Sequence, residues 1–390
     1  MRLLGTDRAG RTRCVALVLI LLAAGPAPAQ TTRTWDGGGG TNDWLTAANW
    51  NPDGVPGVAG STGNTDLAVF ATLGSSITAA NLNSGFNLGA IAATGASGGL
   101  VTTNFSGNGA LRLNGGYTVG SFTNVAGAAQ NGRDLIVTFS NMSFAFGTAG
   151  NQTTFYADAG RVLAFATQQV TNNGGTVNKE GAGTLIWGGS TLITLNADGN
   201  LAAFNINGGT FASRDALNNF SQFQVAGGAS LQAGLGPQQL LATNATVNFQ
   251  TNSSLKIVTD GTNVSELDNA AVTKAANDVF QINLTGLAPS APQTYTPNHI
   301  IVQASSLTGF DPNGTYTLAS PGHFSVTGDG FLVTNWSVTV LNNTQIRLDS
   351  FGVTPVPEPT AVFGVSAIGL VVVGWARRRW DRRPGATPAA

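Results

Sequence analysis

The sequence predicts an all-β protein built from short strands and tight turns. Charged residues make up only 9% of the chain, and glycine accounts for 52 of its 390 residues. This composition is poor in strong helix formers and rich in residues that tolerate a left-handed backbone. Hydrophobic residues still make up 42% of the chain, whereas disordered chains combine low hydrophobicity with high net charge. We therefore predict a packed β fold rather than disorder.

Residues 1–29 combine a basic start with a short apolar run. Arginines come first, and the stretch CVALVLILLAA at residues 14–24 is too short to cross a bilayer comfortably. The small residues at 27–29 then form a cleavage pattern, with cleavage expected before Gln30. We therefore predict a signal peptide that uses the Sec translocon and a signal peptidase; an uncleaved anchor is the alternative. Since the only cysteine is Cys14, the remaining chain contains no disulfide.

Three tryptophans lie close together in the next segment, residues 30–115. Trp35, Trp44 and Trp50 occur within sixteen residues, and the prolines and glycines after them interrupt any regular element. One interpretation is a glycan-binding face, because aromatic rings stack on sugars and indole N–H groups bond to hydroxyls. The alternative, which we favour, is a β cap that buries the open end of a repetitive fold, followed by its first coils.

Residues 116–270 contain a weak internal repeat. Gly-Gly pairs begin at Gly174, Gly208 and Gly227, and short apolar strands such as TLIW and LAAFNI lie between them. A period of roughly 20 residues suits a parallel β-helix, in which glycine and asparagine occupy the corners and apolar side chains fill the interior. We therefore predict a right-handed parallel β-solenoid for this segment.

One stretch of this repeat matches a known pattern. The sequence KEGAGTLIWGG at residues 179–189 resembles the passenger-associated transport repeat of autotransporter passengers, K-x-G-x-G-T-L-x-L-x-G. It is one clear copy, with Trp187 where the family usually has an aliphatic residue. The tryptophan-rich opening is similar to the N-terminus of autotransporter-like β-solenoids on bacterial surfaces. The resemblance implies a β-solenoid located outside the cell.

Residues 271–353 alternate more regularly between apolar and polar side chains. The last run, residues 336–351, contains a predicted hairpin about Asn342 and Asn343. We predict a C-terminal antiparallel β region here, either a cap or a small sandwich, with the proline-rich residues 288–297 as a long loop.

The last segment, residues 354–390, joins a Pro-Glu-Pro motif, an uncharged span and an arginine cluster. The span is residues 360–376, and as a helix it would extend about 25 Å, just enough to cross a hydrocarbon core with some thinning. The arginines would hold its end in the cytoplasm, with the body on the other side of the membrane. A permanent anchor is the alternative. The motif residues are Pro357, Glu358, Pro359, Arg377, Arg378 and Arg379.

This tripartite tail resembles the PEP-CTERM protein-sorting domain of Gram-negative bacteria. In that family an exosortase, a membrane-embedded cysteine peptidase, recognises the tail and is thought to remove it during passage to the cell surface or exopolysaccharide matrix. The resemblance covers about residues 353–383, and the tail beyond the arginines is longer than is typical. It implies an intermediate anchored in the inner membrane, then a location at the surface or in the matrix, with exosortase and exopolysaccharide as partners.

The charge distribution argues against nucleic acid as a partner. The terminal segments hold nine of the 18 basic residues and two of the 19 acidic ones, so the body carries a net charge of −8.

His299 and His323 are 24 residues apart in the sequence and have no nearby histidine or cysteine, so we predict no metal site. The sequence contains neither an H-E-x-x-H zinc motif nor a P-loop. We therefore expect neither a cofactor nor a catalytic residue.

We favour a structural or adhesive role at the cell surface, and two other functions stay open. One is a carbohydrate-binding protein that uses the three tryptophans. The other is a β-helical polysaccharide lyase or hydrolase, which requires clustered carboxylates or a basic residue on one face. Adjacent strand residues such as Lys179 and Glu180 would point to opposite faces. The candidate groups are Asp158, Lys179, Glu180, Asp198, Arg214 and Asp215.

Overall fold

The structure, a computed structural model, describes residues 31–356 with gaps. The gaps are residues 42, 60–63, 71–76, 80–85, 94–100, 107–109, 114–116, 122–134, 141–142, 149–151, 158, 161, 167–168, 174–175, 188–193, 196–202, 214–216 and 218–219. The predicted signal peptide and the sorting segment from Pro357 onward lie outside the described residues. Within the described ranges, no helix is long and apolar enough to cross a membrane.

Nearly all of the regular structure is β-strand, which confirms the predicted all-β class. One turn of 3-10 helix spans Ala47–Asn49. The strands in chain order are β1 Thr32–Trp35, β2 Trp50–Asn51, β3 Val58–Ala59, β4 Leu67–Phe70, β5 Ile77–Ala79, β6 Phe86–Leu88, β7 Ala90–Ala93, β8 Val101–Ser106, β9 Ala110–Leu113, β10 Tyr117–Ser121, β11 Leu135–Ser140, β12 Ser143–Thr148, β13 Gln152–Tyr156, β14 Val162–Ala166, β15 Gln169–Asn173, β16 Thr176–Glu180, β17 Thr184–Trp187, β18 Thr194–Leu195, β19 Ala203–Ile206, β20 Thr210–Ser213, β21 Gln222–Val225, β22 Ser230–Ala233, β23 Leu240–Phe249, β24 Ser254–Val258, β25 Glu266–Lys274, β26 Phe280–Thr285, β27 Gln293–Tyr295, β28 His299–Ala304, β29 Leu307–Thr308, β30 Gly314–Thr317, β31 Phe324–Gly328, β32 Phe331–Leu341 and β33 Gln345–Pro355.

The described strands form three sheets, of 17, 10 and 6 strands. From β4 to β18 the chain visits the sheets in turn, so a strand pairs in parallel with the third strand after it, as β11 does with β14 and β14 with β17. From β19 to β26 it alternates between the two larger sheets, so β19 pairs with β21 and β20 with β22. We call one passage of the chain through the two or three sheets a coil. Parallel coils stacked in this way are compatible with a β-solenoid.

The core lies where the two larger sheets face each other. Apolar side chains alternate along each strand and stack in register from one strand to the next. Rings from the two sheets meet, since the Phe204 and Phe211 centroids are 4.5 Å apart. One buried column of the 10-stranded sheet contains Leu163, Leu185, Phe211, Leu231, Leu255, Ile282 and Val326. Its counterpart in the 17-stranded sheet contains Val177, Phe204, Phe223, Val247 and Val272.

Antiparallel pairing is concentrated towards the C-terminal end. Strand β33 pairs antiparallel with β27, β28 and β32, and β32 also pairs with β30. The β32–β33 hairpin turns at Asn342 and Asn343, whose φ angles of 53° and 54° suit a tight hairpin turn. Nevertheless, β26 and β31 continue the parallel ladder of the 10-stranded sheet beyond residue 270. Alternating side chains occur in both kinds of pairing, so the sequence pattern does not distinguish them.

Candidate functional site

The three tryptophans of the N-terminal segment form one buried cluster. Trp35 is 2% exposed, and Trp44 and Trp50 are fully buried. The Trp35 and Trp50 rings are perpendicular with centroids 5.0 Å apart, the Trp44 and Trp50 centroids are 4.7 Å apart, and Phe70 packs against all three rings. Edge-to-face contacts are a preferred geometry for aromatic rings. The tryptophans therefore fill the interior beside the first strands and present no ring face to solvent.

Hydrogen bonds from the indole N–H groups to backbone carbonyls also stabilise this cluster. Trp44 Nε1 donates to the Pro56 carbonyl at 3.2 Å, and Trp50 Nε1 donates to the Trp44 carbonyl at 2.9 Å. The neighbouring Asn49 is also buried, and its Nδ2 donates to the Asp43 carbonyl at 2.8 Å. Because the Trp44 and Trp50 indole N–H groups are bonded within the protein, the packing favours the cap interpretation over a sugar-stacking face.

Lys179, the first residue of the motif that resembles the transport repeat, is fully buried near the end of β16. Its Nζ donates to the carbonyls of Glu180 and Gly181 at 2.8 Å each, and to the Gly208 carbonyl of the next coil at 2.9 Å. Burial lowers the pKa of Lys179 to about 8, against the opposing effect of the Glu180 charge. An ammonium group has three donors, so Lys179 uses them all to join two successive turns.

The other described residues of this motif are also engaged within the protein. Glu180 lies on the opposite face from Lys179, as predicted, and Asn207 Nδ2 donates to its Oε1 at 2.6 Å. Trp187 is buried and packs edge-on against Phe155 and Phe211. The remaining candidate groups for a lyase or hydrolase lie outside the described residues; they are Asp158, Asp198, Arg214 and Asp215.

Lys274, which the sequence does not single out, is a second buried lysine at the end of a strand, β25, but its hydrogen bonds stay within its own following turn. Its Nζ donates to the carbonyls of Ala275 and Asp278 at 3.2 and 2.8 Å, and it lies 5.3 Å from the centre of the Phe310 ring. Burial lowers the pKa of Lys274 as well. The sequence signal that could have identified it is a lysine six residues before an apolar residue in a strand-like run, since Lys179 precedes Leu185 and Lys274 precedes Phe280 by this spacing.

The two histidines lie in different surroundings. His323 Nδ1 and Asp311 Oδ1 are 2.6 Å apart, and the His323 amide donates to Asp311 Oδ2 at 2.6 Å. Burial raises the pKa of Asp311, but the bonds from His323 outweigh burial and hold that pKa below its usual value. His299 instead lines a surface cleft. Among the described residues, no group of three or more His, Cys, Asp and Glu side chains could hold a metal ion.

Comparisons of the chain with protein-family models, curated proteins and solved structures give no match. The class that the structure defines is an all-β protein of stacked parallel strands, with a buried aromatic cluster beside its first strands. The predicted sorting residues lie outside the described part of the chain; they are Pro357, Glu358, Pro359, Arg377, Arg378 and Arg379.

Proposed function

We propose that the chain is an exported structural or adhesive protein at the cell surface, or in the extracellular matrix, of a Gram-negative-type bacterium. Its body is a right-handed parallel β-solenoid, capped by the tryptophan cluster at one end and by the antiparallel strands around β33 at the other. The supporting observation is the stack of in-register buried residues through both larger sheets. Such stacks are stabilised by contacts between neighbouring coils, which suits an extended scaffold.

The proposed location depends on the two terminal segments. Residues 1–29 would direct the chain through the Sec translocon, and a signal peptidase would remove them. Residues 360–376 would then hold the chain in the inner membrane, with the arginine cluster in the cytoplasm. Pro357 and Pro359 favour an extended segment at the outer edge, because proline lacks an N–H and biases the preceding residue away from helix. That segment is then accessible to an exosortase.

Fractionation of cells that express a sorting variant tests this proposal. Glu358→Ala changes the motif and leaves the apolar span and the arginines intact. We expect this variant to be exported but to accumulate at full length in the inner membrane, whereas the Val356→Ala control reaches the surface like the wild type. Deletion of residues 360–390 should instead release the body, unsorted, into the periplasm. Surface location of Glu358→Ala at the level of the control would contradict the proposal.

A further inference from the structure

A cleft of about 370 Å³ lies at one corner of the stacked coils. It is formed by the turns and strand starts of β23, β25 and β28, which pair in parallel with one another. Three successive coils therefore contribute to one concave surface. The polar residues that line it are Gln238, Gln239, Asn263, Glu266, Asn298 and His299.

Two of the lining residues have an unusual backbone. Gln238 and Asn298 have φ angles of 64° and 51°, in the left-handed region that residues with a side chain rarely adopt. Asparagine is enriched in this region, but glutamine is not. The Gln238 amide donates to the Val264 carbonyl at 3.1 Å and its Nε2 donates to Asn263 Oδ1 at 2.7 Å. Strained backbone that the surrounding structure maintains in this way is common at ligand sites.

Several polar groups of the cleft have no partner among the residues that the structure describes. Within the described residues, the side chains of Glu266, Asn298 and His299 form no hydrogen bond or ion pair. Glu266 is half-buried, and this burial, together with the charge of Asp268, raises its pKa. A carboxyl group that is removed from water without a partner is destabilising. A ligand that hydrogen-bonds to Glu266 would offset this effect.

The chemistry of the lining suits a ligand with many hydroxyl groups. Glutamine and asparagine amides both donate and accept, and a carboxylate accepts from several donors at once. Leu240, which is 42% exposed, adds apolar surface for the C–H face of a sugar ring. The described lining includes Glu266 but no lysine or arginine, which disfavours anions. A single carboxylate is also too few ligands for a calcium ion.

We infer that this cleft binds a neutral saccharide. The inference goes beyond the proposed structural role, and it does not depend on the tryptophan cluster or on the sorting segment. A protein in an exopolysaccharide matrix would meet such a ligand there, and the cleft would then attach the scaffold to the polymer.

Titration calorimetry of the full-length protein tests the inference with defined probes. The probes are neutral hexasaccharides of glucose, galactose and mannose, with a hexasaccharide of galacturonic acid as the anionic counterpart. We expect saturable binding of at least one neutral probe. We expect at least about tenfold weaker binding of the anionic probe, because Glu266 repels its carboxylates.

Two substitutions locate the binding in the cleft. Glu266→Gln removes the charge at nearly constant volume and should weaken neutral binding by about three- to tenfold, since bonds to charged groups are the stronger ones. Gln238→Gly removes an amide while glycine suits the left-handed backbone, so the fold is retained. We expect Gln238→Gly to weaken binding by about tenfold. Its matched control is Asn252→Gly, which has the same φ of 64° and lies outside the cleft.

The inference is overturned if no neutral probe binds to the wild-type protein. It is also overturned if Gln238→Gly and Glu266→Gln bind as tightly as Asn252→Gly, because the saccharide would then bind elsewhere. Circular dichroism of each variant checks that its fold is intact, and in a folded Gln238→Gly variant a loss of binding reports on the cleft itself.

Discussion

Lys179 is a buried lysine whose ammonium group donates hydrogen bonds to carbonyls of two successive turns. Substituting Lys179→Met removes the donor from the carbonyls of Gly181 and Gly208. These carbonyls are partly shielded from water, so losing their donor is destabilising, and we expect the free energy of unfolding to fall by about 2–3 kcal/mol. The control is Lys256→Met, because Lys256 forms only a solvent-accessible pair with Asp329 at 3.5 Å. That change should cost less than about 1 kcal/mol. Equal losses in urea unfolding would contradict this account of Lys179.

The same lysine should make stability depend on pH in the alkaline range. Burial lowers the pKa of Lys179 from 10.5 to about 8, so the unfolded chain binds more protons than the folded chain between these values. The contribution of Lys179 to the free energy of unfolding is therefore lowest below pH 8, and it increases as the pH rises from 8 to 10.5. We expect the wild type to gain stability relative to Lys179→Met over this interval. A difference that is constant with pH, or that falls, would contradict the lowered pKa.

Trp44 should contribute to stability rather than to sugar binding. Its ring is fully buried between Trp50 and Phe70, and truncation of such a ring leaves a large cavity. Trp44→Ala should lower the free energy of unfolding by about 3–5 kcal/mol. The adjacent Leu45 is 38% exposed, and Leu45→Ala should change stability by about 1 kcal/mol or less. Wild-type stability of Trp44→Ala would argue against the cap.

Some of this arrangement at the residue scale could be predicted from the sequence. Successive strand side chains face opposite ways, which was enough to predict that Lys179 and Glu180 would separate. It was not enough to predict that the lysine is the buried one. That outcome depends on the Gly208 carbonyl, 29 residues away in the next coil, and a local pattern contains no information on such a contact.

At the scale of single turns, the second glycines of the two Gly-Gly pairs that the structure describes, Gly208-Gly209 and Gly227-Gly228, provide a matched test. Gly209 and Gly228 have φ angles of 61° and 81°. A Cβ on Gly209 would overlap the Gly183 carbonyl of the preceding coil, whereas a Cβ on Gly228 would meet nothing within 4 Å. Gly228→Ala should therefore cost only the left-handed backbone, about 1 kcal/mol. Gly209→Ala should cost about 1–3 kcal/mol more.

The two alanine variants are compared by urea unfolding with the wild type. Equal destabilisation would contradict the close approach of successive coils at Gly209. Greater destabilisation of the Gly228→Ala variant would contradict the placement of both turns.

The positions of the strands are more predictable from the sequence than the pairing of one strand with another. The strand β17, Thr184–Trp187, lies where the apolar run predicts it, because alternation and turn residues are local signals. Its partners β14 and β20 belong to other coils, and coils of unequal length leave no fixed spacing by which to find them. The cleft could not be predicted from the sequence for the same reason. Gln238, Asn263 and Asn298 meet only because three coils stack.

At the scale of the whole molecule, two separate kinds of observation bear on the protein. The stacked parallel sheets come from the structure of residues 31–356, and the proposed surface location comes from the two terminal segments of the sequence. Interior columns that continue from strand to strand bury apolar side chains in a chain with 9% charged residues and no disulfide in its body, and we expect this burial to be the main source of its stability.

The intact mass of the protein isolated from the cell surface tests the central claim most directly. The account predicts a mature chain that begins at Gln30 and that lacks the apolar span 360–376 and the arginine cluster after it, because a signal peptidase and an exosortase have acted. A surface-located protein that still ends at Ala390 would contradict it, and the C-terminal segment would then be a permanent anchor.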